Sequence, residues 1–425
     1  MNNLILLFNP PFRNNIFPFH SHKVLKKYRT FLLVNPLDFD RHQELINNLS
    51  IEKIIACDFK IETLIRECDT IINCYGPIHN IVYFAEECVH VCGLLRQYYG
   101  LSTDNLDRYI DKNLMIKILN EFNIRVPLSR VFDDQYYQTN KENYLDKLEN
   151  HLSTYPLFIK PINLCGSVAT TKVNNRKELN QWAQQKDNHT YLIQEYLEGT
   201  LLHCESFIKD GTILYSCVFE YSNPGYFFAQ GYPVGSISLP TNDPLAHRVR
   251  EFSREVLHAL GIFENGVAQV EIFLSPNNEL IFLEAAARPP GLEGDLLYQK
   301  YLNIKINETH FLLQTSSSHC DFSTIQINYY AARYIFPIPE SGRIKSPCRK
   351  IALNSPYVEQ FRVKKGDIVS KSKDLFHVAS TMVLWNKDYL QLREDFNNLK
   401  EFIAVDIETK SNHQIPSTLE LENYK

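Results

Sequence analysis

Apolar and polar positions follow two periods along this chain, and the alternation between them outlines strands interleaved with helices. In the first hundred residues, TFLLVNP (30–36), KIIACDF (53–59) and DTIINCYG (69–76) are short apolar runs bounded by polar or turn-forming residues. They read as strands of an open sheet with amphipathic helical stretches between and after them. Between 104 and 122, Leu106, Ile110, Leu114, Ile118 and Phe122 recur at helical spacing and Pro127 blocks continuation, so one long helix is expected to leave this region. A polar segment (133–150), a strand (156–161), the loop INLCGSVATTKV (162–173) and a strand (190–199) follow. Asp243-Pro244 supplies an N-cap and a first-turn proline for a second helix that Gly261 ends. From about residue 328 the pieces YVEQFRVKKGDIV and DYLQLREDFNNLKEFI predict a smaller α+β unit, without a catalytic constellation of its own.

This is an α/β pattern without internal repeats, in a chain long enough for two or three domains. With 44 basic and 49 acidic side chains and a net charge of -5, there is no electrostatic case for nucleic acid or an anionic membrane as partner. No apolar run approaches the length that spans a bilayer, and the opening MNNLILLF lacks a basic region and is cut off by Asn9-Pro10-Pro11. Ten cysteines without a CxxC pair read as reduced thiols, so a cytoplasmic protein is expected.

Two carboxylates stand inside apolar runs, where a charge needs a reason. Glu271 lies in GVAQVEIFL (266–274) and Glu284 in ELIFLEAAARPPG (279–291), with Ser275-Pro276-Asn277-Asn278 between them. If that turn pairs Leu274 with Glu279, then Glu271 faces Phe282 and Gln269 faces Glu284. Both glutamates then project from one face as diagonal neighbours, with Cβ atoms about 7 Å apart. A one-residue slip would send them to opposite faces. Like charges so placed leave two outcomes: one carboxyl stays protonated, or a cation sits between them, and two long acidic arms suit magnesium. Arg288 shares the parity of Glu284 and would bring a planar donor fork suited to phosphate oxygens.

An ordered series of motifs widens the picture: FAEECVHVCGLLRQYYGLSTDNLDRYIDKNLM, PLFIKPINLCGS, YLIQEYLEG, GVAQVEIFLSPNNELIFLE and AAARPPG. In order and spacing they resemble the ATP-grasp family, specifically carboxylate-amine ligases similar to bacterial dipeptide ligases and carnosine synthase. The resemblance implies an N-terminal open α/β domain (1–105), an ATP-grasp domain (106–327) with a lid at about 125–192, and a C-terminal α+β unit (328–425).

It also implies roles for individual residues. Lys112 matches a lysine that reaches the nucleotide phosphates, although periodicity alone places it opposite the Ile110/Leu114 stripe as a solvated lysine. Lys160 matches the second phosphate lysine; by pattern alone it could also be an edge-strand lysine that discourages mispairing. Gly166 and Ser167 fall in the loop whose backbone N–H groups fold over phosphates. Glu195 and Leu197 match the backbone positions that read adenine, and Glu198 is the candidate for the ribose hydroxyls. Glu271 and Glu284 match the acids that bridge magnesium, for which manganese can substitute, and Arg288 matches the arginine on the transferred phosphate. Arg288 and Lys160 are the catalytic candidates. Ala286 replaces a frequent asparagine ligand and Gly291-Leu292 a glycine pair, so one ion is expected to be held firmly.

The implied activity is ATP-dependent joining of a small-molecule carboxylate to an amine through an acyl-phosphate, releasing ADP and phosphate, with a homodimer allowed. The aromatic and glycine-rich stretch 221–240 reads equally as the acceptor side of such a site or as a long surface hairpin. A biotin-carboxylase-like enzyme and a non-catalytic ATP-binding module are the alternatives.

Overall fold

The computed structural model describes residues 2–8, 25–39, 51–152, 154–315, 322, 325–347 and 351–408. Four parallel strands open the chain: β1 (Asn2–Phe8), β2 (Tyr28–Val34), β3 (Ile51–Ala56) and β4 (Ile78–Tyr83), in the order β3-β2-β1-β4. The run DTIINCYG is not one of them. It forms the second half of the helix Ile61–Tyr75, in which Leu64, Cys68 and Ile71 are buried at intervals of four and three. Gly76, at φ 92°, then ends the helix. An apolar run this short fits either period, and the residues before it decide.

The single helix expected over 104–122 is two pieces. A 3-10 turn, Leu106–Tyr109, stops at Ile110, and a new helix, Lys112–Glu121, starts with Asp111 as its N-cap, accepting from the Asn113 and Leu114 amides. The break turns the helical face. Met115, Ile116 and Leu119 are buried, Phe122 is exposed, and Lys112 at the first turn points inward at 4% exposure.

A second sheet, β5 (Ser129–Val131), β6 (Leu157–Pro161), β7 (Thr171–Val173) and β8 (Tyr191–Glu195), is antiparallel in the order β5-β8-β6-β7. It packs its own core of Phe132, Leu145, Leu148, Leu157, Ile159 and Leu179 against the helices Lys141–Leu152 and Arg176–Gln185.

The third sheet has eight strands in the order β13-β12-β9-β10-β11-β14-β18-β16. They are β9 (Thr200–Lys209), β10 (Thr212–Tyr221), β11 (Val234–Ser238), β12 (Gly266–Leu274), β13 (Leu280–Ala286), β14 (Tyr330–Pro337), β16 (Tyr357–Phe361) and β18 (Val378–Asn386). The last hundred residues thus extend the central sheet, and β15 (Gly342–Ser346), β17 (Ile368–Val369) and β19 (Asp406–Glu408) form a small sheet beside it. The two faces of the large sheet differ in chemistry. On one, Leu202, Cys204, Val218, Val270, Ile272 and Phe282 pack under the helix Pro244–Leu260, which Asp243 caps as expected. The other face carries Glu205, His203, Gln269, Glu271 and Tyr221, and the candidate site lies over it.

Gly199, between β8 and β9, has φ 134°, and a Cβ there would lie 2.1 Å from the Leu274 carbonyl oxygen. Gly199→Ala is therefore expected to destabilise the fold by about 2 kcal/mol or more, read as a lowered urea midpoint.

Candidate active site

The register of the acidic hairpin differs from the one expected, and the difference brings the acids closer. Leu274 pairs with Leu280 and Ile272 with Phe282, a frame that would put Glu284 on the wrong face. An irregularity between Glu271 and Ile272 then absorbs Leu283, so that Glu271 and Glu284 stand directly opposite each other. A bulge of this kind re-aims one strand's side chains by a single residue. The glutamates share a face as direct cross-strand partners, where Cβ atoms lie about 5 Å apart.

They border a cavity of about 810 Å³ that is also lined by Lys112, Lys160, Arg288, Gly166 and Ser167. The Lys112 ammonium lies 3.4 Å from Glu284 Oε2 and donates to the Leu164 carbonyl at 2.7 Å. Lys160 sits inside β6 at 4% exposure, so it is no edge decoration. The electrostatics follow from burial. Desolvation and the charge of Glu284 push the Glu271 carboxyl up to about 7, against the hydrogen bond that Tyr221 Oη donates to Glu271 Oε1 at 2.8 Å. Desolvation acts on Glu284 too, but the lysines and Arg288 outweigh it and hold that carboxyl below its ordinary value. Burial also opposes the charge of Lys112, which Glu284 more than restores, leaving it raised. Lys160 is pulled down to about 8, chiefly by desolvation.

That last shift has a measurable sign. If Lys160 holds phosphate, as the resemblance implies, binding favours the ammonium form, so above about pH 8 the free protein must first take up a proton. ADP affinity is expected to fall about fivefold more between pH 8 and about pH 9 than in Lys160→Met, as calorimetry would read. Equal slopes in the two proteins would remove Lys160 from the phosphate site.

Arg288 is fixed from two sides. Its Nε donates to Glu86 Oε2 at 2.8 Å and its second terminal nitrogen approaches the same oxygen at 2.6 Å. Its first terminal nitrogen donates to Gln269 Oε1 at 3.0 Å and to the Pro289 carbonyl at 3.1 Å. Glu86 comes from the motif FAEECVH, which joins the first domain to the site.

The glycine loop is folded over the cavity. Gly166, Ser167 and Ala169 have φ of 66°, 60° and 52°. The Gly166 carbonyl accepts from Leu375 N at 3.1 Å, and a Cβ at Gly166 would meet the Phe376 ring at 2.9 Å. A Cβ at Gly225 would likewise lie 2.7 Å from Ser167 Oγ. Leu375, Phe376 and His377 line the cavity, so the last block of the chain contributes to a site that its sequence did not announce.

The hinge candidates separate. Leu197 lines the cavity together with Gln194 and Tyr196, whereas Glu195 and Glu198 are not among its lining residues. The Glu195 carboxylate accepts from Arg125 at 3.0 Å and from the Leu128 amide at 2.8 Å, and its own N–H donates to the Leu128 carbonyl. Tyr221, Pro224, Gly225, Tyr226 and Val234 also line the cavity, which favours the site reading of the 221–240 stretch over a surface hairpin.

Sequence reasoning missed Glu86, Arg333 and Arg362, and reached Tyr221 only as the first residue of the 221–240 stretch. Arg333, at 6% exposure, donates to the Leu292 carbonyl at 2.6 Å and also holds the Gly291 carbonyl. Arg362 pairs with Glu293. The only forewarning was an arginine in the otherwise apolar strand YYAARYIFP.

The acids fit a hard divalent ion. They are two convergent carboxylates, one of them raised by burial and then by its neighbour's charge, and no third ligating side chain is needed by an ion that completes its shell with phosphate oxygens and water. Among the described residues there is no group of three or more His, Cys, Asp or Glu placed to hold a metal ion. Ala286, paired with Gln269 in the ladder, offers no side-chain oxygen.

Residues 118–303 match the family model described as D-ala D-ala ligase C-terminus. A D-alanine–D-alanine ligase of Natranaerobius thermophilus is 25% identical over 219 residues, covering 49% of this chain and 58% of that protein. An L-arginine-specific L-amino acid ligase of Bacillus subtilis is 22% identical over 244 residues, covering 55% of this chain and 57% of that protein. The chain therefore spans less than two thirds of these relatives' length. The crystal structure of an L-amino acid ligase from Bacillus licheniformis superposes with a TM-score of 0.73 at 15% identity, over 96% of this chain and 99% of that one.

Proposed function

We propose that the chain is a member of the ATP-grasp superfamily and that it is an ATP-dependent carboxylate-amine ligase acting through an acyl-phosphate, a reading supported by the family match over 118–303 and by the ligases it is similar to. The observation that carries the reading is the direct pairing of Glu271 and Glu284 beneath Lys112, Lys160 and Arg288 in one cavity. Two acids and three cations around one space answer the charge of a nucleoside triphosphate with its magnesium. Magnesium held by the two acids would neutralise charge on the β- and γ-phosphates.

The chain's own groups supply the rest. Lys112 and Lys160 hold the phosphates, and Arg288 offers a fixed positive group to the γ-phosphoryl as the carboxylate oxygen attacks in line and ADP leaves. The acyl-phosphate then meets an amine, which displaces phosphate and forms the amide. Water must be kept out meanwhile, and the Gly166 loop, docked on Leu375 and Phe376, closes that side of the cavity.

The test is ADP release with magnesium and ATP against pooled amino acids and simple carboxylates, with Glu284→Ala beside it. Release stimulated by an acid and amine together, lost in the variant, is the expected result. Release with bicarbonate alone would instead favour a carboxylase, and bound ATP without turnover a binding module.

A further inference from the structure

Phosphate chemistry alone does not require the support built beneath Arg288. Of the five N–H donors of a guanidinium, four are committed to Glu86, Gln269 and the Pro289 carbonyl, which leaves one on the second terminal nitrogen for a bound oxygen. The Gln269 contact is itself imposed from below. Glu205, fully buried and directly opposite Gln269 in the β9–β12 ladder, accepts from Gln269 Nε2 at 3.0 Å, from His203 Nδ1 at 2.6 Å and from Tyr298 Oη at 2.6 Å. An ionised carboxylate only accepts. The Gln269 amide must therefore turn its NH₂ toward Glu205, and its carbonyl oxygen is left facing Arg288. Burial works against the Glu205 charge, but His203 and the hydrogen bonds outweigh it and keep the carboxyl below its ordinary value.

Building on the ligase reading, we propose that Gln269, oriented by Glu205, is a positioning residue that sets the plane of the Arg288 guanidinium against the transferring phosphoryl group. Without it the arginine keeps its charge and its Glu86 partner but is free to rotate about that contact. A long side chain needs a second fixed contact to present one N–H in one direction.

The experiment compares ADP affinity with and without aluminium fluoride, in the presence of magnesium, for the wild type, Gln269→Met and the double variant Gln269→Glu/Glu205→Gln. Fluoroaluminate beside ADP mimics the phosphoryl group in flight and should tighten wild-type binding. Gln269→Met is expected to bind ADP alone as the wild type does, yet to lose about tenfold or more of the tightening. The double variant exchanges donor and acceptor while keeping the net charge and an acceptor on Arg288, and should recover most of it.

Tightening intact in Gln269→Met, or ADP affinity and melting temperature falling together with tightening unchanged, would overturn the proposal in favour of a structural role. No tightening in the wild type would mean that Arg288 meets no transferring phosphoryl group, which overturns both this proposal and the ligase reading. Tightening that depends on Gln269, without ADP release dependent on acid and amine, would support this proposal and sink only the ligase reading.

Discussion

Glu284→Gln is expected to lower acid- and amine-dependent ADP release by about a thousandfold or more, since on the proposed reading it loses one of the two acids that would hold magnesium and forfeits several kcal/mol of charge stabilisation in the transition state. The effect should exceed that of the matching change at Glu271 because Glu284 has two tasks. It is the larger of the two acidic influences on Lys160, and it is the partner that keeps Lys112 charged in a buried position. Removing its charge leaves two buried ammonium groups that oppose each other's charge, with only the weaker influences of Glu86 on Lys112 and Glu271 on Lys160 to offset their burial. Breaking a buried pair in this way costs about 3–5 kcal/mol. The melting temperature of the nucleotide-free variant should therefore fall as well, and fall less at alkaline pH, where Lys160 gives up its proton. Glu271→Gln should show the opposite stability effect, because it removes a carboxyl whose ionisation the fold already opposes. A Glu284 variant that keeps both turnover and melting temperature would remove the acidic pair from the site.

The same sign holds for the nucleotide-free wild type. A carboxyl raised to about 7 against an ordinary value of 4.5 contributes no penalty while it is protonated in both states, and an increasing one as pH climbs through that window. Stability from this group is lost between about pH 4.5 and about pH 7. Magnesium, if the ionised pair holds it as proposed, should restore it most at the upper end, a dependence that thermal melts with and without the ion would read.

What could be read from the letters alone follows from the range of each interaction. The hairpin and its two acids were legible because strand period and turn chemistry are local. Their direct pairing was not, because the bulge that absorbs Leu283 has no glycine to mark it, and a register derived from turn length stops at the first irregularity. DTIINCYG misled because four apolar positions fit either period. Lys112 misled because the break at Ile110 and Asp111 rotates the face on which helical spacing was counted. Resemblance corrected that reading, where periodicity would have left the lysine in water. Glu86, Glu205 and Arg333, and the bond from Tyr221 to Glu271, were invisible for another reason. Each acts on a residue 40 or more positions away, and only the assembled sheet brings them together. The resemblance named groups that line the cavity and was silent on those that hold them still.

Arg288→Lys is expected to be nearly as damaging as Arg288→Met, with ADP release down about a thousandfold in each, while affinity for ADP stays within about threefold of the wild type. A lysine keeps the charge, so electrostatics alone would predict a mild variant. Geometry predicts otherwise. Arg288 meets one Glu86 oxygen with two nitrogens and Gln269 with a third, and a point charge on a flexible stem cannot hold both contacts and still present a directed N–H. The ammonium would settle on Glu86, whose side chain is only 11% exposed, and withdraw from the phosphoryl position. Substitution by methionine strands Glu86 as a buried carboxylate without its partner. That variant should therefore also melt earlier than Arg288→Lys, even though the two are equally inactive. The melting difference isolates the charge pair and the shared loss of turnover isolates the fork. A lysine variant with a tenth or more of wild-type turnover would mean that positive charge at this position suffices, and the case for a fixed guanidinium plane, with Gln269 and Glu205 behind it, would fall.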